Sequence, residues 1–396
     1  MKPEAGGGRE VIVAAEWFDG ERRQTGPVSL VVAEGRLQTI AAGDQSVALA
    51  GAGAAVTRVP FLMPGLVDAH VHLFLDGDVT NGALRSAHLN RPFDELMATA
   101  RDSARRALAC GITLLRDAGD RHGINHRIRA EARGSRELAR VRSAGTGLRR
   151  PQRYGAFIAR DVADDAAIRA ALAALAPDCD EIKLVLTGII DFEAGAVTDQ
   201  PQFDEAAAAL IVALARTLGR RTLAHCSGAA GLAIAVAAGV DSIEHGFFMD
   251  RDTLARMRDQ QIAWTPTFSP VHFQWAQPEA SGWSATTIGH LRRILDDHAA
   301  HLLLADELGV PLLLGTDAGS MGVVHGTALR EEMDRWLEAG VSLERVLTAA
   351  TAAPRRHFGL PARLAPGAPF DALALPGSPF ADRTVLGRPL RVWLAD

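Results

Sequence analysis

Between Val67 and Asp317 the chain repeats one rhythm: a short apolar strand, a helical stretch rich in alanine, leucine and arginine, then another strand. The strand segments are "VDAHVHL", "GITLLRDAG", "ARVRSAG", "EIKLVLTG", "RTLAHC", "DSIEHG", "IAWTPTF" and "VPLLLGTDAG". Helical segments near 94–109, 123–134, 164–176, 204–218, 228–238, 251–260 and 286–308 separate them. Strands joined through helices must run parallel, and a parallel sheet is covered on both faces. Eight such units predict an α/β fold, a closed (β/α)8 TIM barrel. The alternative is a doubly wound open sheet, which the lack of a glycine-rich phosphate loop after the first strand disfavours.

The flanks read differently. Residues 10–60 alternate apolar and polar positions and are broken by glycine turns, as in "EVIVAAEWFDG", and strand texture returns in "PFDALALPG" and "PLRVWLAD". We therefore expect a barrel over 63–358 and a small β-sandwich domain built from both termini, 1–62 and 359–396. A formal net charge of -5 offers no basic field for nucleic acid. No apolar run approaches the ~20 residues of a membrane span, and "MKPEAGGGRE" lacks the apolar centre of a secretory signal, so the expectation is a cytoplasmic protein without nucleic-acid or membrane partners. The three cysteines, Cys110, Cys179 and Cys226, lack CxxC spacing and read as small buried hydrophobes.

The chemistry starts from a scarce residue. Of forty-two Lys and Arg side chains only Lys2 and Lys183 are lysines, and Lys183 lies inside the apolar strand "EIKLVL". A buried ammonium is costly unless paired. A lysine differs from an arginine in that desolvation can strip its proton and expose a nitrogen lone pair. The neutral amine can then capture CO2 as a carbamate, a long carboxylate able to bridge two metals ~4 Å apart. The plainer reading is a buried lysine paired with Glu181 or Asp180.

Other strands supply donors at the same end. His70 and His72 share one face of the first strand, His225 and His245 end the fifth and sixth, and Asp317 ends the eighth. Imidazole and carboxylate donors suit zinc and similar divalent ions.

The ordered motifs "PGLVDAHVHL", "GITLLRDAG", "EIKLVLTG", "LAHC", "AGVDSIEHG", "GTDAG", "GTALREEM", "AATAAPRRHFGL" and "LAPGAPFDALAL" resemble those of the metal-dependent amidohydrolase superfamily. The style is that of its Xaa-Pro dipeptidase-like and imidazolonepropionase-like branch. The resemblance implies a binuclear centre: His70, His72 and Asp317 on one metal, His225 and His245 on the other, carboxylated Lys183 and a hydroxide between them. It also implies hydrolysis of a C–N bond, an amide, peptide or cyclic amide, in a small-molecule substrate, with Asp317 as the proton shuttle. Mononuclear deaminases of the superfamily carry a glutamate three residues after the fifth-strand histidine; Gly228 stands there in this chain. A lactonase or esterase using the same centre, and a metal-free scaffolding homologue, are the rival readings. A homo-oligomer is compatible with all of them.

Further residues have both a functional and a structural reading. Tyr154, the chain's single tyrosine, lies with Arg149, Arg150 and Arg153 on a segment after the third strand, and Tyr154 and Arg150 are candidate contacts for a substrate carboxylate. His122 and His325 lie on loops able to reach the pocket, and His272 is a weaker candidate. Asp68 can orient a ligand or serve as a core hydrogen-bond acceptor, and Arg116 and Asp117 can line the site or pair to fix a strand end. Phe247, Phe248, Trp264, Phe268, Phe273 and Trp275 can shape an apolar pocket or pack as core.

Overall fold

The computed structural model describes residues 8–51 and 53–395; Lys2 lies outside them. The expected barrel is present. Its first seven strands are Leu66–Val71, Ile112–Asp117, Arg140–Ser143 continuing into Gly147–Arg149, Glu181–Val185, Arg221–Cys226, Ser242–His245 and Ala263–Thr265. Each pairs in parallel with the next through the third strand and from there through the seventh. The eighth, residues 311–318, is irregular yet closes the ring: Trp264 N donates to Pro311 O and Leu313 N to Trp264 O on one side, and Ala69 N to Leu314 O and Asp317 N to His70 O on the other.

Helices Phe93–Ala109, Ile124–Arg133, Asp165–Leu175, Glu205–Thr217, Ala229–Ala238, Arg251–Gln260 and Ala285–Leu308 lie where the apolar rhythm placed them, within a residue or two at each end. Several starts are written locally. The side chains of Asp164, Asp204, Asp250 and Ser284 each accept from the N–H three residues on, a cap that contributes about 1 kcal/mol. Two further helices, Gly82–Leu89 and Ser269–Ala276, sit in the loops after strands one and seven.

The flanking segments form a seven-stranded sheet in the order Arg391–Trp393, Ala372–Leu375, Ala55–Pro64, Glu10–Phe18, Val28–Ala33, Arg36–Ala42, with Arg23–Gln24 paired to Glu10–Phe18. Ile12, Leu30, Leu37, Leu62, Phe370 and Trp393 fill its own small core. Phe18, Phe61, Met63, Leu373 and Leu375 belong instead to the main core of the barrel, so the sheet is anchored through them. No helix among the described residues is long and apolar enough to cross a membrane.

Candidate metal centre

Strand alternation sends Ile182 and Leu184 outward to the helices and Lys183 inward, with Glu181 one layer below it. Lys183 is 1% exposed, and its Nζ has no hydrogen-bond partner among the described residues. The pairing with Glu181 or Asp180 does not form: Glu181 meets Arg142 at 3.3 Å and Arg116 at 3.8 Å, and Asp180 meets Arg129 at 2.8 Å. Gly147, on the third strand, makes room, since a Cβ there would lie 3.0 Å from Lys183 Cγ. Burial brings the Lys183 amine down from 10.5 to about 8, against the pull of Glu244 and Asp317.

Four imidazoles surround that amine. His70 and His72 lie edge to face with centroids 5.5 Å apart; His245 is 4.9 Å from His70 and 4.6 Å from His225. His70 Nδ1 donates to Glu244 Oε2 at 2.6 Å and His72 Nδ1 to the Gly119 carbonyl at 2.9 Å. His245 Nδ1 is hydrogen-bonded to Thr267 Oγ1 at 2.7 Å, and the Gly188 backbone engages His225. With Nδ1 committed, Nε2 faces inward; in His70 and His225 it is buried without a partner. Asp317 Oδ1 lies 3.7 Å from His70 Nε2 and 3.6 Å from His72 Nε2.

Burial, followed by the Lys183 charge, depresses His72 and His225 to about 3, and burial likewise holds His70 and His245 well below the usual imidazole range. All four are therefore neutral lone-pair donors near pH 7. His70, His72 and Asp317 offer ligand atoms all within 4.8 Å of one another, a group that fits a divalent metal ion. The orphaned nitrogens of His70, His225 and Lys183 support that fit independently, because buried polar atoms are rarely left unbonded.

Backbone geometry makes two of the donors available. His245 follows Glu244, so simple alternation would turn it outward; a left-handed φ of 68° swings it back inside. Asp317 adopts φ 56° for the same end, and such strain in non-glycine residues clusters at functional sites.

One layer below lies a carboxylate that motif reading passed over. Glu244, fully buried, accepts from Arg116 Nη2 at 2.8 and 2.7 Å, from Ser242 Oγ and from His70. Burial pushes its carboxyl up, but Arg116 and Lys183 outweigh that and hold it below the usual range. Glu244 fixes the His70 tautomer, a task for which Asp68 was the sequence candidate. Asp68 instead accepts from Thr316 N at 3.0 Å and Thr316 Oγ1 at 2.7 Å and so fastens the eighth strand. Asp117 accepts from Leu73 N and Gly119 N and braces the loops after strands one and two.

The remaining candidates separate. Tyr154 reaches the centre, its ring 5.4 Å from His225, and Gln202 holds its carbonyl at 3.1 Å. Burial, then Asp317, keep its phenol above the ordinary range, so it remains a hydrogen-bond donor. Arg150 has partners within the chain: its guanidinium stacks 4.8 Å from the Phe203 ring and donates to Val162 O. His325 is buried with Nε2 3.3 Å from Leu75 O, and His122 is partly exposed beside Phe74 and Arg121. His272 lies 5.6 Å from Trp275, on helix Ser269–Ala276. Of the aromatic run, Phe247, Trp264 and Phe268 pack around buried His298 and act as core. Arg85, on helix Gly82–Leu89, was not singled out in the sequence, yet its charge acts on His72, Asp317 and Tyr154.

The sequence model of the amidohydrolase family matches residues 61–394. An uncharacterized protein of Mycobacterium tuberculosis is 31% identical over 304 residues, covering 76% of this chain and 75% of its own. The ochratoxinase of Aspergillus niger is 26% identical over 367 residues, covering 85% and 74%. Among solved structures, a Xaa-Pro dipeptidase with bound methionine superposes with a TM-score of 0.83 at 23% identity, covering 98% of this chain and 99% of that one. The A. niger ochratoxinase structure gives 0.82 at 22%, covering 98% and 95%.

Proposed function

We propose, from the premise that this chain belongs to the amidohydrolase family, that it is a metal-dependent hydrolase cleaving a carbon–nitrogen bond in a small molecule. The observation that carries the reading is the set of buried, partnerless nitrogens within the histidine cluster and beside it, Nε2 of His70 and His225 and Nζ of Lys183. His70, His72 and Asp317 would hold one divalent ion and His225 and His245 a second, both zinc, with Lys183 as a carbamate between them. Such ions, when bound, supply Lewis-acid chemistry: they acidify a water and polarise a carbonyl oxygen.

The protein's own groups do the rest. An amine near pKa 8 has a neutral fraction whose nitrogen bonds to the carbon of CO2 and loses a proton, which leaves an anionic carbamate on Lys183. Asp317, buried beside His70 and His72, is placed to take a proton from the attacking water and return it to a departing nitrogen. Tyr154 donates a hydrogen bond to the substrate. Gly228, φ 83°, stands where a deaminase would need its glutamate, and its would-be Cβ already meets Val197 at 3.1 Å; this favours hydrolysis over deamination. The names of the similar proteins, a Xaa-Pro dipeptidase and an ochratoxinase, support a small substrate.

The test is elemental analysis of protein grown with zinc and bicarbonate, alongside a panel of N-acyl amino acids, dipeptides, cyclic amides and lactones. About two metals per chain with amide cleavage is the expected result. Asp317→Asn should keep its metal and lose roughly 10²–10⁴ in turnover. One metal per chain and an inert amide panel would sink the proposal, and undiminished turnover in the asparagine variant would remove Asp317 from proton transfer.

A further inference from the structure

Several arginines lie on loops at the reactive end, and nearly all of them are already occupied. Arg149 pairs with Asp161 at 2.7 Å and donates to Arg153 O, Arg153 donates to Gln200 O, and Arg150 is stacked on Phe203. Arg85 differs from them at its fork: its terminal Nη1 is buried with no hydrogen-bond partner among the described residues, whereas Arg149, whose Nε is also unbonded, spends both terminal nitrogens on Asp161 and Arg153.

The helix that carries Arg85 is held in place. Asn81 caps it by accepting from Leu84 N at 3.0 Å, and buried His88 donates to Phe74 O at 2.8 Å. The loop before it is pressed onto the loop after strand eight: Gly322 N donates to Val79 O at 2.9 Å, and a Cβ on Gly77 would fall 2.0 Å from Val323 O. The helix is thus a braced element, and the guanidinium it carries lies close enough to the centre for its charge to act on His72, Asp317 and Tyr154.

The anions near Arg85 have other work. Asp317 belongs to the candidate ligand set and accepts from Ser320, and Asp76 closes its own turn by accepting from Asp78 N at 2.9 Å. Burial depresses the Arg85 guanidinium, and Asp317, Tyr154 and Asp76 only partly offset that. A guanidinium is a planar fork that matches a carboxylate through paired N–H···O bonds, and leaving the buried Nη1 donor unmet is costly.

We infer that Arg85 is the receptor for a carboxylate carried by the substrate beside the scissile bond, with Tyr154 donating from the other side. The substrate class is then amides that keep a free carboxylate, N-acyl amino acids or dipeptides, in preference to cyclic or neutral amides. This rests on the C–N hydrolase reading above.

The experiment uses metal-loaded full-length protein and matched pairs of N-acyl amino acids, each as free acid and as carboxamide. The parent should favour the acids in kcat/KM by roughly ten- to hundredfold. In Arg85→Met that preference should collapse, chiefly through KM for the acids, and Arg85→Lys should restore part of it. An acid preference that survives Arg85→Met overturns the inference. A parent that cleaves neither member of any pair defeats the hydrolase reading instead, and the Arg85 assignment is then decided without turnover. Phenylglyoxal modification of Arg85, followed by peptide mass analysis, should be blocked by an N-acyl amino acid and not by its carboxamide; equal protection overturns it.

Discussion

The Arg116–Glu244 assembly and the His70–Lys183 assembly lie one above the other inside the same barrel, equally buried and oppositely satisfied. Arg116 donates to both Glu244 oxygens, to the Ala69 carbonyl, to Ser242 and to Thr265. One layer up, Lys183 Nζ and the Nε2 atoms of His70 and His225 bond to nothing in the described chain. A buried polar group left unmade costs about 1–3 kcal/mol. The Arg116–Glu244 pair therefore completes itself and serves as scaffold, while the nitrogens above it find no partner in the described chain. His70 joins the two, with Nδ1 in the lower layer and Nε2 in the upper.

Substitutions that sort cleanly between the layers sharpen this contrast, and the largest effect should come from the upper one. Lys183→Met should abolish hydrolysis and strip metal while thermal unfolding stays near the parent's or rises, because an unpaired buried amine is replaced by an apolar chain. A variant that retains full metal would break the distinction. Below, Arg116→Met should do the reverse, costing about 3–5 kcal/mol in denaturant unfolding because the Glu244 charge is left buried without its partner.

Glu244→Gln tests the junction. It should weaken metal affinity by roughly 10–100-fold, measured by chelator competition, since the His70 ring exchanges a charged carboxylate acceptor for a weaker neutral amide. Unaltered affinity would mean that strand geometry alone orients His70. Tyr154→Phe should have the smallest effect, raising KM by roughly two- to tenfold for loss of one hydrogen bond, with metal content unchanged. A KM equal to the parent's would remove Tyr154 from the substrate.

How much of this was legible in the sequence follows from what each residue needed. His70 and His72 declare themselves by spacing two apart on a strand, and Lys183 by being a lysine where the chain otherwise uses arginine. Helix positions followed from the apolar rhythm because buried faces recur with the helical period. Glu244 was hidden by its neighbour: alternation points it inward, but the histidine beside it drew the functional reading, and no linear pattern reveals that a left-handed φ would admit both. Arg85 sits in "GALRSAHL", which has no apolar stripe to mark a helix, since His88 is its one buried residue. Arg150 has its flat face on Phe203, a contact that nothing in the linear pattern announces. The pairing of Ala372–Leu375 with Ala55–Pro64 joins segments some three hundred residues apart, and neither strand carries a signal for its partner.

The scarcity of lysine also equips the molecule with its own label. An amine-acylating reagent has only two side-chain targets, Lys2 and Lys183, and the second is 1% exposed. Acylation at Lys183 therefore records opening of the barrel, and a carbamate on that nitrogen would block it. Tryptic cleavage reads out the result, because residues 170–216 hold no basic side chain except Lys183 and the terminal Arg216. An unmodified lysine splits that stretch in two after denaturation, whereas an acylated one leaves it whole, so one peptide mass counts how often the interior has been open.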